Sequence, residues 1–368
     1  MTGQFTGMPP ASADGLPPRG DRHKRAGAAD GKSPAEAGPR KPEGGSDRGN
    51  KPSVGGRFFR AVRANAFVLL LLAGFLTLDA ALASWDPMTN SERFYKEDFT
   101  KTINHHGGST SGKLFFGNSA VAGAYIEEQA EIPLVEMGLS YGKLTDLKEI
   151  LKQELYTPRD LLVIGIDEHT MLDELPTDPV YPWFRKWYQP YLYFYRDYFL
   201  DSGKEWVRNF WNGLREGRLD VSSYEPRWAD KMVYYGHLDE AELRKRWEKY
   251  EKEFGRYTVE DGLDDNIAAL EWVLQEAGRR DLPVSVIWMP VNPDPRFPPQ
   301  SYWEPLRRTV NAMLQRYGVP VLDLSSKFPK EDFHDLVHLE RTTGAPKFTK
   351  EVDAWLRSPA SSSKPSST

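Results

Sequence analysis

Five short apolar runs, each followed by residues with helical periodicity, limit the fold of this chain more than any other feature. Strands that alternate with helices form parallel sheets buried on both faces, and continuous apolar runs are typical of such strands. The pattern predicts an α/β fold with a flavodoxin-like, doubly wound parallel sheet of five strands. We expect the strands at the apolar runs 114–116, 132–135, 161–166, 284–289 and 319–324.

The sheet-forming pattern occupies residues 113–357 and is interrupted once. Between the third strand and the next helix, residues 176–261 form a predicted, mostly helical insertion with 22 of the chain's 46 aromatic residues, densest at 187–199. It has three interpretations: a small second core, a wall on which sugars stack, or a surface that rests on a bilayer. After this domain, the Ser- and Pro-rich residues 358–368 predict a loose tail.

The apolar run 64–83 is the second strong constraint. As a helix its twenty residues would span about 30 Å, the thickness of the hydrocarbon core of a bilayer. Three arginines at positions 57–63 precede it. By the positive-inside rule they predict a cytoplasmic N-terminus and an extracytoplasmic segment 90–368. We therefore expect one membrane helix within residues 57–84.

The apolar run has two alternatives to an anchor. Ala81-Leu82-Ala83 resembles a signal-peptide cleavage site, and a buried core helix would show similar apolarity. An uncleaved anchor is favoured because the preceding segment is far longer than an ordinary signal n-region. Composition predicts that residues 1–56 are a disordered cytoplasmic tail and that residues 85–112 are a linker.

Composition excludes several kinds of chemistry. The chain has no cysteine, which removes thiol nucleophiles, Cys-ligated zinc and iron–sulfur clusters. Its 48 basic and 53 acidic residues give a net charge of -5, which argues against a nucleic-acid partner. No motif for a cofactor is present. The expected chemistry therefore rests on Ser, His and carboxylate side chains.

Ser119 follows the first predicted strand directly. In a doubly wound sheet the ligand crevice lies at the carboxyl ends of the strands, so a helix beginning here would present the Ser119 hydroxyl to it. A serine becomes a strong nucleophile only beside a base. The alternative is that Ser119 is simply a helix N-cap, a position that serine often fills.

Asp335 and His338 follow the fifth predicted strand and open onto the same crevice. Their spacing of three lets the carboxylate reach an imidazole nitrogen, as in a Ser-His-Asp triad. Alternatively, Asp335 is a capping or surface charge and His338 an ordinary loop histidine. A zinc site on His334, His338 and Glu351 is less favoured, because paired histidines of that kind need a long helix.

The order of these motifs resembles a known family. The Gly-Asn-Ser sequence at 117–119 resembles block I of the SGNH (GDSL-like) hydrolases. Gly138 sits where their block II glycine falls, and Asp335-x-x-His338 resembles their block V. The resemblance covers residues 113–170 and 262–357.

The stretch 333–348, with Leu339 and Gly344, most resembles the envelope branch of that family. This branch includes the D-alanyl-lipoteichoic acid transfer protein and the alginate acetylation proteins, many of them membrane-anchored. The resemblance implies an extracytoplasmic enzyme that transfers an acyl group, such as acetyl, to a cell-envelope polysaccharide or teichoic-type polymer. It also implies a membrane-bound O-acyltransferase partner that supplies the acyl group.

The resemblance assigns roles to individual residues. Ser119 is the expected nucleophile, His338 its base and Asp335 the acid that orients the base. The backbone N–H groups of Ser119 and Gly138 are the expected oxyanion donors. These roles require Ser119, His338 and Asp335 to lie within hydrogen-bonding reach of each other.

The sequence departs from the family after the third strand. The family often has an Asn there as a third oxyanion donor, but this chain has Asp167, and an ionised carboxylate cannot donate. Asn292, after the fourth strand, is a candidate substitute, or else a turn residue next to Pro293. The functional alternatives are a secreted esterase or deacetylase of this fold, and a non-catalytic glycan-binding factor of envelope assembly. The altered loop favours the second.

Overall fold

The computed structural model describes residues 63, 65–85, 97–172, 183–184, 188, 191, 196–215, 217, 231–254, 263–358 and 361. Within these residues the strands are β1 (Ser111–Gly117), β2 (Val135–Gly138), β3 (Thr157–Ile166), β4 (Val284–Trp288) and β5 (Val321–Asp323). The α-helices in the same residues are α1 (Ala66–Trp85), α2 (Asp98–His105), α3 (Ser119–Ala124), α4 (Leu144–Lys152), α5 (Arg196–Arg215), α6 (Glu240–Phe254), α7 (Asp264–Arg279), α8 (Gln300–Arg316) and α9 (Gly344–Leu356).

The five strands form one parallel sheet in the order β2-β1-β3-β4-β5, which confirms the predicted fold class. The chain winds from β1 to β2 in one direction and from β3 to β5 in the other. The topological switch point therefore lies between β1 and β3, where doubly wound sheets bind their ligands. Gly117 pairs with Gly138 and Ile166 with Trp288, so neighbouring strands end almost level.

Close packing fixes α3 against this edge of the sheet. A Cβ added to Gly117 would lie 2.3 Å from Cγ2 of Val121, and one added to Gly165 would lie 2.5 Å from the same atom. Contacts this short do not occur, so both strands need glycine where the helix crosses them. The result is a tight turn between β1 and α3, and Ser119 lies in that turn.

The second strand lies three residues later than the sequence predicts. We expected a strand at 132–135, but β2 begins only at the last residue of that run. The Asp353 carboxylate of α9 accepts the N–H groups of Glu131 at 2.9 Å and Ile132 at 3.1 Å. Pro133 has no N–H to donate to a sheet. These residues therefore lead into the strand and are not part of it.

The prediction of a linker over residues 85–112 is wrong for its second half. Helix α2 buries Phe99 and Ile103 in the main core, and β1 already begins at Ser111. The two apolar side chains are four residues apart and lie on one face. This one pair packs the two-turn helix against the core. A single apolar pair among polar residues is too weak a pattern to predict a helix from the sequence.

Helix α1 corresponds to the predicted membrane segment. It is 20 residues long with a mean hydropathy of 2.3, and 6% of its apolar window is buried. The hydroxyls of Thr77 and Ser84 donate to carbonyl oxygens one turn earlier, at 2.8 Å each. Such bonds satisfy polar groups inside a bilayer. In length and composition α1 suits a membrane span, and a signal sequence shares these properties.

The described part of the predicted insertion contains α5 and α6, whereas most of the aromatic stretch 187–199 lies outside the described residues. On α5, Trp206 and Trp211 are 56% and 58% exposed, and Val207 and Leu214 are exposed on the same face. These four side chains do not form a second core. Whether they stack sugars or rest on a bilayer stays a prediction.

Candidate active site

The fold brings Ser119 together with the loop after β5. Ser119 Oγ lies 2.9 Å from His338 Nε2. The other ring nitrogen of His338, Nδ1, lies 2.9 and 3.0 Å from the two oxygens of Asp335. An ionised carboxylate only accepts hydrogen bonds, so Nδ1 carries the ring proton and Nε2 is left to accept from the serine hydroxyl. The three side chains have the arrangement of nucleophile, base and orienting acid.

Ser119 is the first residue of α3 but not its cap. The cap is Asn118, whose Oδ1 accepts the Ala120 N–H at 2.8 Å, so the alternative that Ser119 is an N-cap is wrong. Asn118 also donates through Nδ2 to both oxygens of Asp167, at 2.8 and 2.9 Å. The fully buried Asp167 accepts the N–H and the hydroxyl of Thr170 as well. Asp167 therefore anchors the turn that presents Ser119.

Asp335 is held by three donors besides the imidazole of His338. It is fully buried, and its Oδ1 accepts the N–H groups of Val337 and His338 at 2.9 and 2.7 Å. Arg246 Nη1 lies 2.9 Å from its Oδ2. Burial alone would raise the pKa of Asp335, but His338 and Arg246 outweigh burial and hold it well below its usual range. Asp335 is therefore ionised at neutral pH.

Part of the insertion is hydrogen-bonded to the loop that carries Asp335 and His338, residues 333–341, here named the triad loop. The hydrogen-bonded part is segment 231–239. The Arg341 N–H donates to the carbonyl oxygen of Tyr234 at 2.8 Å. The carbonyl oxygen of His334 accepts the Leu238 N–H, and Nδ1 of His334 bonds the carbonyl oxygen of Gly236, each at 2.9 Å. The insertion is thus a structural part of the site.

Glu340 stabilises this junction. Its buried carboxylate accepts the N–H of Gly236 at 3.1 Å and the N–H groups of Thr342 and Thr343 at 2.8 Å each. Both threonine hydroxyls donate to it as well. Burial acts in the opposite direction, but these hydrogen bonds lower the pKa of Glu340 from 4.5 to about 2.

The junction should make stability depend on pH. Because the pKa of Glu340 is lowered on folding, its stabilisation is complete above pH 4.5 and is lost as the pH falls to about 2. We expect Glu340→Gln to lower the free energy of unfolding by about 1–3 kcal/mol at pH 7. The difference from wild type should shrink steadily below pH 4.5. Thermal melts of both proteins across this range measure it, and a difference that stays constant would contradict the assignment.

Ser119 lies in a cleft of about 630 Å³ that opens to solvent. Its walls come from the loops after β1, β2 and β3, from segment 231–239, from α6 and from the triad loop. The Tyr234 ring stacks on the His338 imidazole with centroids 3.8 Å apart and planes at 14°. Tyr250 of α6 also lines the cleft. The aromatic insertion thus contributes two tyrosines to its wall.

In the described part of the chain, the two charged side chains that line the cleft are basic, and one of them, Arg246, is paired with Asp335. Arg246 and Lys249 of α6 both line it, and no acidic side chain lines it among the residues described. Burial lowers the pKa of the lining residue His169 to about 4, so its ring is neutral at pH 7. Neighbouring Glu168 is fully buried, with neither carboxylate oxygen hydrogen-bonded, and burial and Asp167 raise its pKa well above the usual range. These features suit a ligand that carries negative charge.

The expected oxyanion donor at Gly138 is engaged elsewhere. Its N–H donates to Oε1 of Glu136, a buried residue of β2. Lys231 Nζ holds this carboxylate at 3.0 Å from each oxygen. The Gly138 N–H therefore points to a buried ion pair, and Gly138 does not line the cleft. The N–H of Gly138 cannot serve as the expected oxyanion donor, because the side chain of Glu136 accepts it from two residues earlier in the chain.

The expected substitute donor Asn292 also lies outside the cleft. Its Nδ2 donates to the carbonyl oxygen of Asp335 at 2.9 Å, and its N–H donates to that of Leu336. Asn292 therefore stabilises the backbone of the triad loop at Asp335 and Leu336. The structure thus places Asn292 near the triad, but not where it would face an acyl group on Ser119.

The zinc alternative is wrong in its geometry. Residues 334–338 are not helical, since Phe333 and Leu339 pair across them as an antiparallel bridge. The two ring nitrogens of His338 face the triad partners, and Glu351 pairs with Lys327 at 2.5 Å.

A second set of donors, on Asp167, Glu168 and His169, comes within 4.8 Å and could in principle hold a metal ion. Oδ1 of Asp167 already accepts N–H groups of Asn118, His169 and Thr170 and the Thr170 hydroxyl, and Oδ2 accepts the amide of Asn118. The carboxylate has little capacity left for a cation.

Sequence reasoning missed the contribution of α6. Arg246, Lys249 and Tyr250 have the i, i+3, i+4 spacing that places side chains on one helix face. That spacing was a signal for a functional face. It was hidden because a charged stretch usually forms a solvated surface, and nothing in the pattern shows that Asp335 lies opposite.

Comparison of the sequence with known protein families and with curated proteins found no match to either.

Proposed function

We propose that the protein is a membrane-anchored, extracytoplasmic serine acyl-transfer enzyme of SGNH type. The observation that carries the proposal is the hydrogen-bonded chain Ser119 Oγ, His338 Nε2, His338 Nδ1, Asp335, with distances of 2.9–3.0 Å. The chain lies at the edge of a five-stranded parallel sheet, where doubly wound folds bind ligands. The three residues follow one another along the sequence in the same order as the matching blocks of the SGNH hydrolases that the chain resembles.

The geometry supports a two-step reaction. Ser119 Oγ attacks the carbonyl carbon of an acyl ester while His338 Nε2 takes the hydroxyl proton, and Asp335 stabilises the imidazolium. The bond to the leaving alcohol breaks, His338 returns the proton to that alcohol, and the acyl group stays on Ser119. An acceptor hydroxyl then gives its proton to His338 and attacks the acyl carbonyl. Ser119 recovers its proton as the product ester leaves.

The substrate class follows from the cleft. Lys249 lines it beside the ion pair of Arg246 with Asp335 and favours an anionic polymer, such as an acidic polysaccharide or a teichoic-type chain. Three tyrosine rings in its wall suit contacts with sugars, those of Tyr141, Tyr234 and Tyr250. In this proposal a membrane-bound O-acyltransferase supplies the acyl group, and O-acetylation or a similar acylation of the polymer is the result.

Helix α1 supports the proposed location. Its apolar length matches the hydrocarbon core, and the arginines before it favour a cytoplasmic N-terminus. The cleft would then face the cell envelope, where the polymer is. Cleavage after Ala83 would instead give a secreted esterase or deacetylase with the same site.

The second candidate is a glycan-binding assembly factor without activity. The engagement of the Gly138 N–H by Glu136 favours it, because one expected oxyanion donor is missing. The two candidates differ in whether Ser119 reacts.

A membrane-impermeant fluorophosphonate tests both the nucleophile and the location. Spheroplasts expressing the full chain should become labelled without lysis, and the label should map to Ser119. Ser119→Ala should remove it. Ser109→Ala is the matched control, because this serine is exposed and its hydroxyl donates to the Ser111 carbonyl oxygen. Labelling only after lysis would overturn the orientation, and no specific labelling in either state would favour the glycan-binding factor.

A further inference from the structure

We infer that Tyr234 is a further catalytic residue of this site. Its hydroxyl donates a hydrogen bond to the oxyanion, the carbonyl oxygen of the acyl group that becomes negatively charged when Ser119 attacks. The inference rests on the proposed function and goes beyond it, since Tyr234 belongs to the insertion and to none of the motifs that carry the resemblance. Three features support it: the position of the ring, the surroundings of the hydroxyl and the engagement of other donors.

The ring is fixed beside the catalytic base. It stacks on the His338 imidazole at 3.8 Å, whereas the neighbouring pair of His169 and Tyr250 meets edge to face at 4.8 Å. A Cβ added to Gly123 of α3 would lie 2.9 Å from Cδ2 of Tyr234, so the ring fills the space between α3 and His338. The side chain is 6% exposed. It therefore has little freedom to turn away from the site.

Tyr234 lines the same cleft as Ser119, and its ring stacks on the imidazole whose Nε2 lies 2.9 Å from Ser119 Oγ. The Tyr234 hydroxyl donates to Sδ of Met232 at 4.0 Å, and a thioether is a weak acceptor that leaves the donor available. Burial, and next the charge of Asp335, raise the pKa of Tyr234. The phenol thus keeps its proton at neutral and alkaline pH and can donate a hydrogen bond to a developing negative charge.

The reaction needs such a donor. The N–H of Gly138 is engaged by a buried carboxylate, and Asn292 faces the back of the triad loop. The N–H of Ser119 has no acceptor within α3, because it belongs to the first residue of the helix. One backbone donor is less than the two or three that acyl-transfer sites commonly provide. Tyr234 provides a second donor in the cleft that holds the nucleophile.

The position of Tyr234 is set before substrate binds. Its carbonyl oxygen accepts the Arg341 N–H at 2.8 Å, and two residues later Gly236 is bound by Glu340. Donors held in place in this way stabilise a transition state without reorganisation.

The test compares two adjacent tyrosines in the full-length protein in detergent. Tyr234→Phe removes the hydroxyl and keeps the ring on His338. Tyr235→Phe is the matched control, since its side chain is 62% exposed in the same segment and does not line the cleft. The measurement is the acylation rate with p-nitrophenyl acetate, together with the rate of fluorophosphonate labelling.

We expect Tyr234→Phe to slow acylation about 10²- to 10³-fold with little change in KM, the loss typical of one oxyanion donor. Tyr235→Phe should react like wild type. If Tyr234→Phe were acylated as fast as wild type while Ser119→Ala stayed inactive, the inference would be overturned and the proposed function would stand. A wild-type protein that reacts no faster than Ser119→Ala would overturn the proposed function and this inference with it.

Discussion

Ser119→Ala is expected to lower the turnover of p-nitrophenyl acetate by about 10⁶-fold, and His338→Ala by a similar factor, as when the nucleophile or base of such a triad is removed. The double variant should be no slower than either single variant. The reason is that the proton of Ser119 Oγ passes to His338 Nε2 in the same step in which the serine attacks, so neither group works without the other.

The loss in Ser119→Ala should not reflect misfolding. Asn118, not Ser119, caps α3, and alanine is the best helix former for the first turn. The melting temperature should stay close to that of wild type. His105→Ala is the control for the histidine, because His105 is exposed at the end of α2. Losses that multiply in the double variant would show that Ser119 and His338 act independently and would contradict the triad.

The fold was predictable because it depends on a local signal. A strand buried on both faces must be apolar along its length, and the run at 161–166 shows this within six residues. β2 was misplaced because it contains Glu136, which breaks the apolar run. The charge is tolerated by pairing with Lys231, 95 residues further along the chain. No local pattern can reveal such a partner.

The triad could be predicted for a topological reason. Loops that follow parallel strands meet at one edge of the sheet, so Ser119 after β1 and Asp335 and His338 after β5 can meet across 219 residues of sequence. The oxyanion donors could not be predicted in the same way. Whether the Gly138 N–H faces the cleft depends on the side chain of Glu136, and motif position says nothing about that.

Arg246 and Tyr234 were not predictable, because both come from the insertion. Their contacts with Asp335 and His338 depend on how segment 231–239 and α6 fold back over the sheet. An insertion interrupts the alternation of strand and helix and removes the topological argument that located the triad.

Asp335→Asn is expected to slow acylation by about 10⁴-fold while leaving Ser119 and His338 in place. The N–H groups of Val337 and His338 both donate to Oδ1, so they require the amide oxygen at that position. The amide NH₂ must then occupy the Oδ2 position and donate to His338 Nδ1. This reverses the tautomer, Nε2 carries the proton, and the ring can no longer accept from Ser119.

The same substitution sets the amide NH₂ against Arg246, whose Nη1 lies 2.9 Å from Oδ2 in the wild type. We expect the free energy of unfolding to fall by about 1–3 kcal/mol, the usual effect of losing a hydrogen bond to a charged group. Adding Arg246→Met removes the opposed donor and should restore part of the stability but none of the rate. Denaturant unfolding and single-turnover acylation measure the two effects. If Asp335→Asn kept its acylation rate within tenfold of wild type, Asp335 would serve only to hold the loop and Arg246, because the tautomer of His338 would then not depend on it.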